Sequence, residues 1–531
     1  MMTETSIYEY AKHGLELSAD KTALWFYGKS ITFRELFDKI DNVADHLYAQ
    51  GVREGTVVTV HLPNCPQAVM VIYAVAKLGG ICNMVHAQTP AAALRENLAF
   101  TESDFLITYL PDCTGVAKTA LYVDISYHMG LLYRVGFQLG SDDRQMSDAG
   151  SDKVPAFDYS AKTALPEQHA FADKCAVYFQ SSGTTGTAKI IQMSHGAINR
   201  WLENLKDLFC GEVLSDQATL SVAPLYHALG FLIEMHRCIS YGAKLVILER
   251  WDRQLAADLI RGQAIQFMAG VPSMYLDLLR NPDFNGDAAK NLRHCFVGGD
   301  SISWDLIEAL DRRVGRRVTF PTYAMTEIGA ACALSVKHDK KNSAGYPLKG
   351  VKLGVLGEDG ALSFCGRGEL VICSETMMLG YLKDRQATEA ALFKRDGQTW
   401  LHTGDYGEID QDGFVFFIAR LKNVIIRKGY CVFPNDVEAI IQTSSFVRDV
   451  CVVGIPDAEN QTEKVCAAVV LNSDAEETAA REAITEICRR ELPPYSVPSG
   501  VVFIEQIPCN RMGKIDREAL RKQLCSKDLP H

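Results

Sequence analysis

Between Gln180 and Ile190 the chain reads Ser181-Ser182-Gly183-Thr184-Thr185-Gly186-Thr187-Ala188-Lys189, with five hydroxyl side chains, two glycines and a lysine. Polyphosphate recognition needs this combination. Glycines let backbone amides approach the phosphate oxygens, hydroxyls donate hydrogen bonds, and an ammonium supplies a point charge. A Walker loop requires GxxxxGK[ST]; here Ala188 precedes Lys189 and Ile190 follows it, so a P-loop kinase or ATPase does not fit. A loop of this composition standing alone would read as a Ser/Thr-rich surface turn.

The elements that must hold the loop are legible on both sides. Cys175-Ala-Val-Tyr-Phe-Gln180 predicts a strand running into it, and a helix is expected to start near His195. From Ala23 onward short β-branched runs alternate with longer amphipathic segments, the pattern of α/β layers. Val57-Val58-Thr59-Val60 predicts a strand and Ala68 to Ala76 a helix; Val246 to Leu248 and Phe267 to Gly270 predict buried strands. Ile125 to Leu139 reads as a packed helix leading into a loose Asp/Ser/Gly-rich loop over 140–158. After Phe414 to Ala419 the composition shifts at Arg420-Leu421-Lys422. A helix is expected behind Pro434, then Val450 to Gly454 and Lys464 to Leu471 as strands, a helix from Ala475 to Glu491, and Val501 to Glu505. The expected architecture is α/β: a large N-terminal domain of layered sheets and helices (1–419), then a small mobile α+β domain (420–531).

Further short motifs follow the loop in order. They are Pro224-Leu225-Tyr226-His227, Gly298-Gly299-Asp300-Ser301, Tyr323-Ala324-Met325-Thr326-Glu327, Gly368-Glu369-Leu370, Gly380-Tyr381, Thr403-Gly404-Asp405, Arg420-Leu421-Lys422 with Gly429, and Gly513-Lys514-Ile515-Asp516-Arg517. Together with the Ser181–Lys189 loop they resemble the signature set of the adenylate-forming superfamily: acyl-CoA synthetases, stand-alone adenylation domains and firefly-type luciferases. The resemblance covers nearly the whole chain.

What the resemblance implies is an ATP site made of Ser181, Ser182, Gly183, Thr184, Thr185, Gly186, Thr187 and Lys189 for the phosphates. Gly298, Gly299, Asp300 and Tyr323 would meet adenine, and Tyr323 offers an aromatic face to a purine. Thr326 supplies a hydroxyl for the α-phosphate, and Glu327 a carboxylate for Mg²⁺, which prefers one or two carboxylates plus phosphate oxygens. Asp405 would accept from the ribose hydroxyls, with Arg420 beside it. Lys514 resembles the lysine that lies between carboxylate and α-phosphate and offsets the repulsion of anion against anion. With His227, beside the acyl pocket, Lys514, Thr326 and Glu327 form the expected catalytic set. Lys422 matches the hinge on which the small domain pivots between adenylation and thioester formation. Gly429 and Tyr430 would then approach the pantetheine of coenzyme A, and Ala228, Leu229 and Thr322 would line the acyl site beside His227.

The chain departs from the family pattern at Ala188 and Ile190, where the family carries proline and glycine. It departs again at Asn423 and in Thr322-Tyr323-Ala324, where the family carries Gly-Tyr-Gly. The last change places side chains where glycines normally line the acyl pocket, so the pocket is expected to be narrowed.

Composition removes other classes. The chain has 531 residues, 47% apolar and 22% charged, which excludes disorder and fibrous assemblies. Its net charge of −11 comes without any basic block, against a nucleic-acid binder. Sixteen scattered cysteines with no CxxC pair read as reduced thiols. Met1 to Tyr10 hold two glutamates and no apolar h-region, so secretion is not expected, and the longest apolar run stops at Lys77, short of the ~20 residues a spanning helix needs. A cytoplasmic location is expected. The expected reaction joins a carboxylic acid, apolar or aromatic, to coenzyme A through an acyl adenylate, with ATP and Mg²⁺. The alternatives are an acyl-AMP ligase that loads a carrier protein, and a non-catalytic paralogue that binds nucleotide or acyl groups.

Overall fold

The structure, a computed structural model, describes residues 2–130, 171–181, 189–209, 212–300, 302–336, 340–357, 359–427, 430–457, 462–473, 475–509 and 515–525. It is a mixed α/β protein with a large N-terminal part and a smaller C-terminal one. Two compact units divide it: one holds 1–181, 188–352 and 373–399, the other 182–187, 353–372 and 400–531.

Two large sheets, their strands counted among the described residues, organise the first unit. One has nine strands, in which Lys244–Ile247, Ala218–Ser221, Phe267–Gly270, His294–Gly298 and Thr319–Ala324 lie side by side and parallel. Parallel strands covered on both faces carry continuous apolar runs. That is why Phe267–Gly270, wholly buried, was legible as a strand from residue types alone. The other has seven strands, in the order Gly380–Tyr381, Ile190–Ser194, Cys175–Gln180, Ile81–Met84, Val57–His61, Phe105–Thr108 and Thr119–Tyr122. Its strand Val57–His61 and the helix Pro66–Lys77 stand where the sequence places them. Helix His195–Lys206 starts as expected, with the Ser194 side chain accepting from the Ala197 amide; Ala197, Ile198, Trp201, Leu202 and Leu205 form its buried stripe.

One expectation fails in part. Within Ile125 to Leu139 the described residues form a single 3₁₀ turn, Ile125–His128, in place of a helix. The chain then crosses other backbone at Gly130, whose amide donates to the Tyr27 carbonyl (2.8 Å). Residues 131–139 and the loop over 140–158 lie outside the described residues.

In the second unit the strands Gly366–Ser374, Gln398–Ile409 and Val415–Arg420 run antiparallel in one sheet. The C-terminal segment forms a three-stranded sheet, Val447–Asp457 antiparallel to Thr462–Leu471, which is parallel to Gly500–Phe503. Alternate residues of the first strand face opposite ways. Val450 and Val452 pack with Val437, Ile441 and Ile484 from helices Pro434–Gln442 and Glu477–Glu491. Cys451, Val453 and Ile455 pack with Leu520 and Leu524 of helix Arg517–Cys525, an element the sequence reading did not separate from the tail. Helices on both faces explain the unbroken apolar run of Val450 to Gly454.

Among the described residues the cysteines are free, and most are buried. Burial pushes the thiols of Cys65, Cys175 and Cys238 up to about 12, so they stay protonated and unreactive.

Candidate active site

Within the first unit, the carboxyl ends of the parallel strands gather the predicted residues at one sheet edge, where ligands of open α/β sheets bind. Ala218–Ser221 leads into Pro224 to His227, His294–Gly298 into Gly299 and Asp300, and Thr319–Ala324 into Thr326 and Glu327. Gly298 and Thr322 are opposite each other in the pair of parallel strands.

The Ser181–Lys189 loop is closed at its base. The Ser181 amide donates to the Lys189 carbonyl (2.8 Å), and the Lys189 amide donates to Ser181 Oγ (2.9 Å). Ser182, Gly183, Thr184, Thr185, Gly186 and Thr187 lie outside the described residues. Lys189 is exposed, and its ammonium rests 4.6 Å from the centroid of the Tyr381 ring.

Thr326 and Glu327 begin a 3₁₀ turn, Thr326–Ile328. A strap from Thr376 to Leu382 fastens this turn to the strand that leaves the phosphate loop. Thr376 Oγ1 donates to the Ile328 carbonyl (2.9 Å), and the Met378 amide to the Glu327 carbonyl (2.7 Å). The Leu379 and Leu382 amides then donate to the carbonyls of Gln192 and Ile190, 2.8 Å each. The Tyr381 hydroxyl donates to Glu327 Oε1 (3.2 Å), and burial followed by the Glu327 charge holds that phenol well above its usual range, as a proton donor. Gly380 has φ of 141°, and a Cβ there would lie 3.0 Å from Thr388 Cγ2, so the residue before Tyr381 is restricted to glycine. The strap was invisible in the sequence as a site element: Gly380-Tyr381 was noted as a motif, but its partners lie 54 residues away at Glu327 and far behind it at Lys189.

Tyr323 is buried, its hydroxyl directed at Met325 Sδ (3.8 Å), so little of its ring surface is open in this conformation. Thr322 is buried and Ala324 half-buried. His227 and Leu229 are half-buried and Ala228 is buried, at the head of a π-helix, Leu229–His236. π-Helical turns concentrate at functional sites because they re-aim side chains. Two residues that the sequence reading passed over build this turn. A Cβ on Gly230 would fall 2.4 Å from the carbonyl oxygens of Ala223 and Pro224, so only glycine fits. Glu234, fully buried, accepts from Ser221 Oγ and from the Val222 and Ala223 amides (3.1 Å each), tying the helix to the end of the strand before it. Burial pushes its carboxyl well above the usual range, against those three donors.

The second unit carries other predicted side chains. Asp405 is only 1% exposed and faces Arg420 across paired strands, Arg420 Nε lying 2.8 Å from Asp405 Oδ1. Thr403 Oγ1 accepts from the Asp405 amide and donates to the Leu370 carbonyl, fixing the turn. Lys422 sits in the 3₁₀ turn Leu421–Asn423; burial first, then Arg420, lowers its ammonium below the usual range. Tyr430 is exposed and stacked on Tyr495 with centroids 4.5 Å apart. Gly429 and Lys514 lie outside the described residues, but the chain on either side of Lys514 is pinned. Cys509 and Ile515 form a β-bridge and the Asp516 amide donates to the Pro508 carbonyl (2.8 Å). The Arg517 guanidinium pairs with both Glu438 oxygens and donates to the Val452 carbonyl.

For Mg²⁺ the test is the donor set. Among the described residues no group of three His, Cys, Asp or Glu side chains could cage a metal. A single carboxylate at the sheet edge, one oxygen held by a phenol, fits an ion completed by phosphate oxygens.

The profile of the AMP-binding enzyme family matches residues 12–382, and that of the AMP-binding enzyme C-terminal domain matches 436–514. A long-chain-fatty-acid–CoA ligase of Bacillus subtilis (strain 168) is 26% identical, over 95% of this chain and 92% of its own. A 4-coumarate–CoA ligase-like protein of Arabidopsis thaliana is 27% identical, over 94% and 90%. The crystal structure of ATP-bound MatB from Rhodopseudomonas palustris superposes with a TM-score of 0.81 at 22% identity, over 97% of this chain and 99% of that one. With the first profile matching well over half of the chain, the chain belongs to the AMP-binding enzyme family.

Proposed function

We propose that the protein is an acyl-CoA synthetase: it couples a carboxylic acid to ATP, releasing pyrophosphate, and passes the acyl group to coenzyme A. The observation that carries this reading is the fastening of Glu327 and the Lys189 end of the phosphate loop to one strap. It sets a metal carboxylate and a phosphate cation in one rigid piece of backbone. Relatives that span almost the whole chain are named as CoA ligases, which supports coenzyme A as acceptor over a carrier protein.

In this reading Ser181 to Lys189 hold the phosphates, Gly298 to Asp300 and Tyr323 flank adenine, and Asp405 with Arg420 binds the ribose. Glu327 holds Mg²⁺, which when bound neutralises phosphate charge and favours departure of pyrophosphate. Thr326 donates to the α-phosphate, and Lys514 stabilises the charge that accumulates as carboxylate oxygen bonds to phosphorus. Lys422 is the hinge of a small domain, 420–531, moving against 1–419. It lies in the gap between the two matched stretches, which supports that division. Gly429 and Tyr430 then serve coenzyme A.

The acyl group would lie against His227, Ala228, Leu229 and Thr322. Ala228 and Thr322 are buried and uncharged, which favours an apolar or aromatic acid over a dianion. The test is a panel of aliphatic and aromatic acids, with pyrophosphate release and loss of free coenzyme A thiol read in parallel. Acid-dependent release with stoichiometric thiol loss is expected. Release without thiol loss would assign the acceptor to a carrier protein, and no release with any acid would reject the enzyme.

A further inference from the structure

We propose that Tyr381 is a positioning residue that holds the phosphate-loop lysine and the metal carboxylate apart and correctly aimed. The inference rests on the reading above, in which Lys189 meets phosphate and Glu327 meets Mg²⁺.

The geometry is specific. The hydroxyl of one aromatic ring donates to Glu327 Oε1 at 3.2 Å, while its face carries the Lys189 ammonium at 4.6 Å. A cation and a carboxylate joined to the same side chain would otherwise pair with each other, as ammonium and carboxylate groups do at such range. That pairing would remove the charge each must present to ATP and its metal. Here the ring engages the ammonium on its face and the carboxylate at its hydroxyl. Its quadrupole attracts the ammonium without neutralising it. Its hydroxyl occupies one carboxylate oxygen, and among the described residues the other oxygen takes no hydrogen bond. Outer-shell partners of this kind orient metal-binding carboxylates and tune their affinity.

The backbone fixes the ring as firmly as its side-chain contacts do. Tyr381 is paired with Ile191 in the sheet, and its amide donates to Thr388 Oγ1 at 2.9 Å. Thr388 Oγ1 in turn donates to the Asp384 carbonyl. The Met378 amide holds the Glu327 carbonyl three residues earlier. Carboxylate, ring and loop lysine therefore move as one body. Phe would keep the ring and its cation contact and lose only the hydroxyl; Leu would lose both.

The experiment is calorimetric titration of ATP, with and without Mg²⁺, into wild type, Tyr381→Phe, Tyr381→Leu and Glu327→Gln. No acid substrate is needed. In wild type Mg²⁺ should tighten ATP binding. Tyr381→Phe should lose about tenfold or more of that gain, the loss expected for one outer-shell partner, while its metal-free ATP affinity stays within about twofold. Tyr381→Leu should weaken metal-free binding as well, because Lys189 then collapses onto Glu327. Steady-state assays should show the same split, with a higher Mg²⁺ requirement for Phe and a higher KM for ATP added in Leu. If Glu327→Gln loses the metal gain and Tyr381→Phe keeps it, the positioning role is wrong and the metal reading stands. If Glu327→Gln itself keeps the full gain at unchanged Tm, both the inference and the metal role it rests on are overturned.

Discussion

Lys514→Ala should lose adenylation by three orders of magnitude or more while converting a pre-formed acyl adenylate and coenzyme A to thioester at a rate within about threefold of wild type. The magnitude follows from the charge problem. Two anions must be brought to bonding distance, and a preorganised cation at that point is among the largest single contributions an active site makes. The chain on either side of Lys514 is anchored, by the Cys509–Ile515 bridge and by Arg517 held on Glu438 and Val452. Replacing the lysine therefore removes a charge without loosening the helix Arg517–Cys525 that follows. Each half-reaction must be measured separately, by pyrophosphate release and by thioester formation. Equal losses in both would mean that Lys514 serves a single arrangement of the protein throughout.

The second large effect is on stability against acid. Burial lowers the imidazoles of His61 and His195 to about 4 and those of His128 and His236 to about 3. Nearby cations add to this at His128, from Lys29 and Lys39, and neighbouring histidines add at His61 and His236. A histidine whose folded value lies below its unfolded one binds its proton first in the unfolded chain. Its contribution is complete above about pH 6.5 and is lost as pH falls toward the folded value. Each group costs about 1.4 kcal/mol per pH unit inside that window, and the four act in the same direction. The urea midpoint should drop between pH 7 and pH 5, opposed in part by Glu234 and Glu249, whose buried carboxyls are held above their usual range and gain stability as pH falls. In His236→Gln, where an amide can still reach Tyr73 and Asn199, the pH slope should fall by about one proton. A midpoint unchanged across that range would show that these rings are charged or hydrated in the folded protein.

How much of this was legible beforehand depends on the range of the interaction. Strand and helix types follow from local periodicity, so Val57–His61, Pro66–Lys77, Phe267–Gly270 and the layers around Val447–Asp457 were readable. The motif residues were readable because each carries its own chemistry. What was not readable depends on tertiary contacts. Nothing local marks Glu234 as a buried tie between a π-helix and a strand end, or Gly230 as the one residue that fits beneath two carbonyls. Tyr381 stood in a motif without a partner, since sheet pairing brings it beside Ile191 and tertiary hydrogen bonds of its strap bring it to Glu327. The segment after Asp124 misled for the opposite reason. Its apolar content suits a helix, but a close backbone crossing at Gly130 decides its path.

A carboxylate oxygen of the substrate should bond to the α-phosphorus of ATP on this protein. This bond is tested most directly by turning over an acid from the panel labelled with ¹⁸O in both carboxylate positions, in the presence of ATP and coenzyme A, and weighing the AMP formed. One ¹⁸O in each AMP is expected, because coenzyme A attacks the acyl carbon and the bridging oxygen leaves with phosphorus. AMP without label, or ADP in its place, would contradict the acyl adenylate and the account built on it.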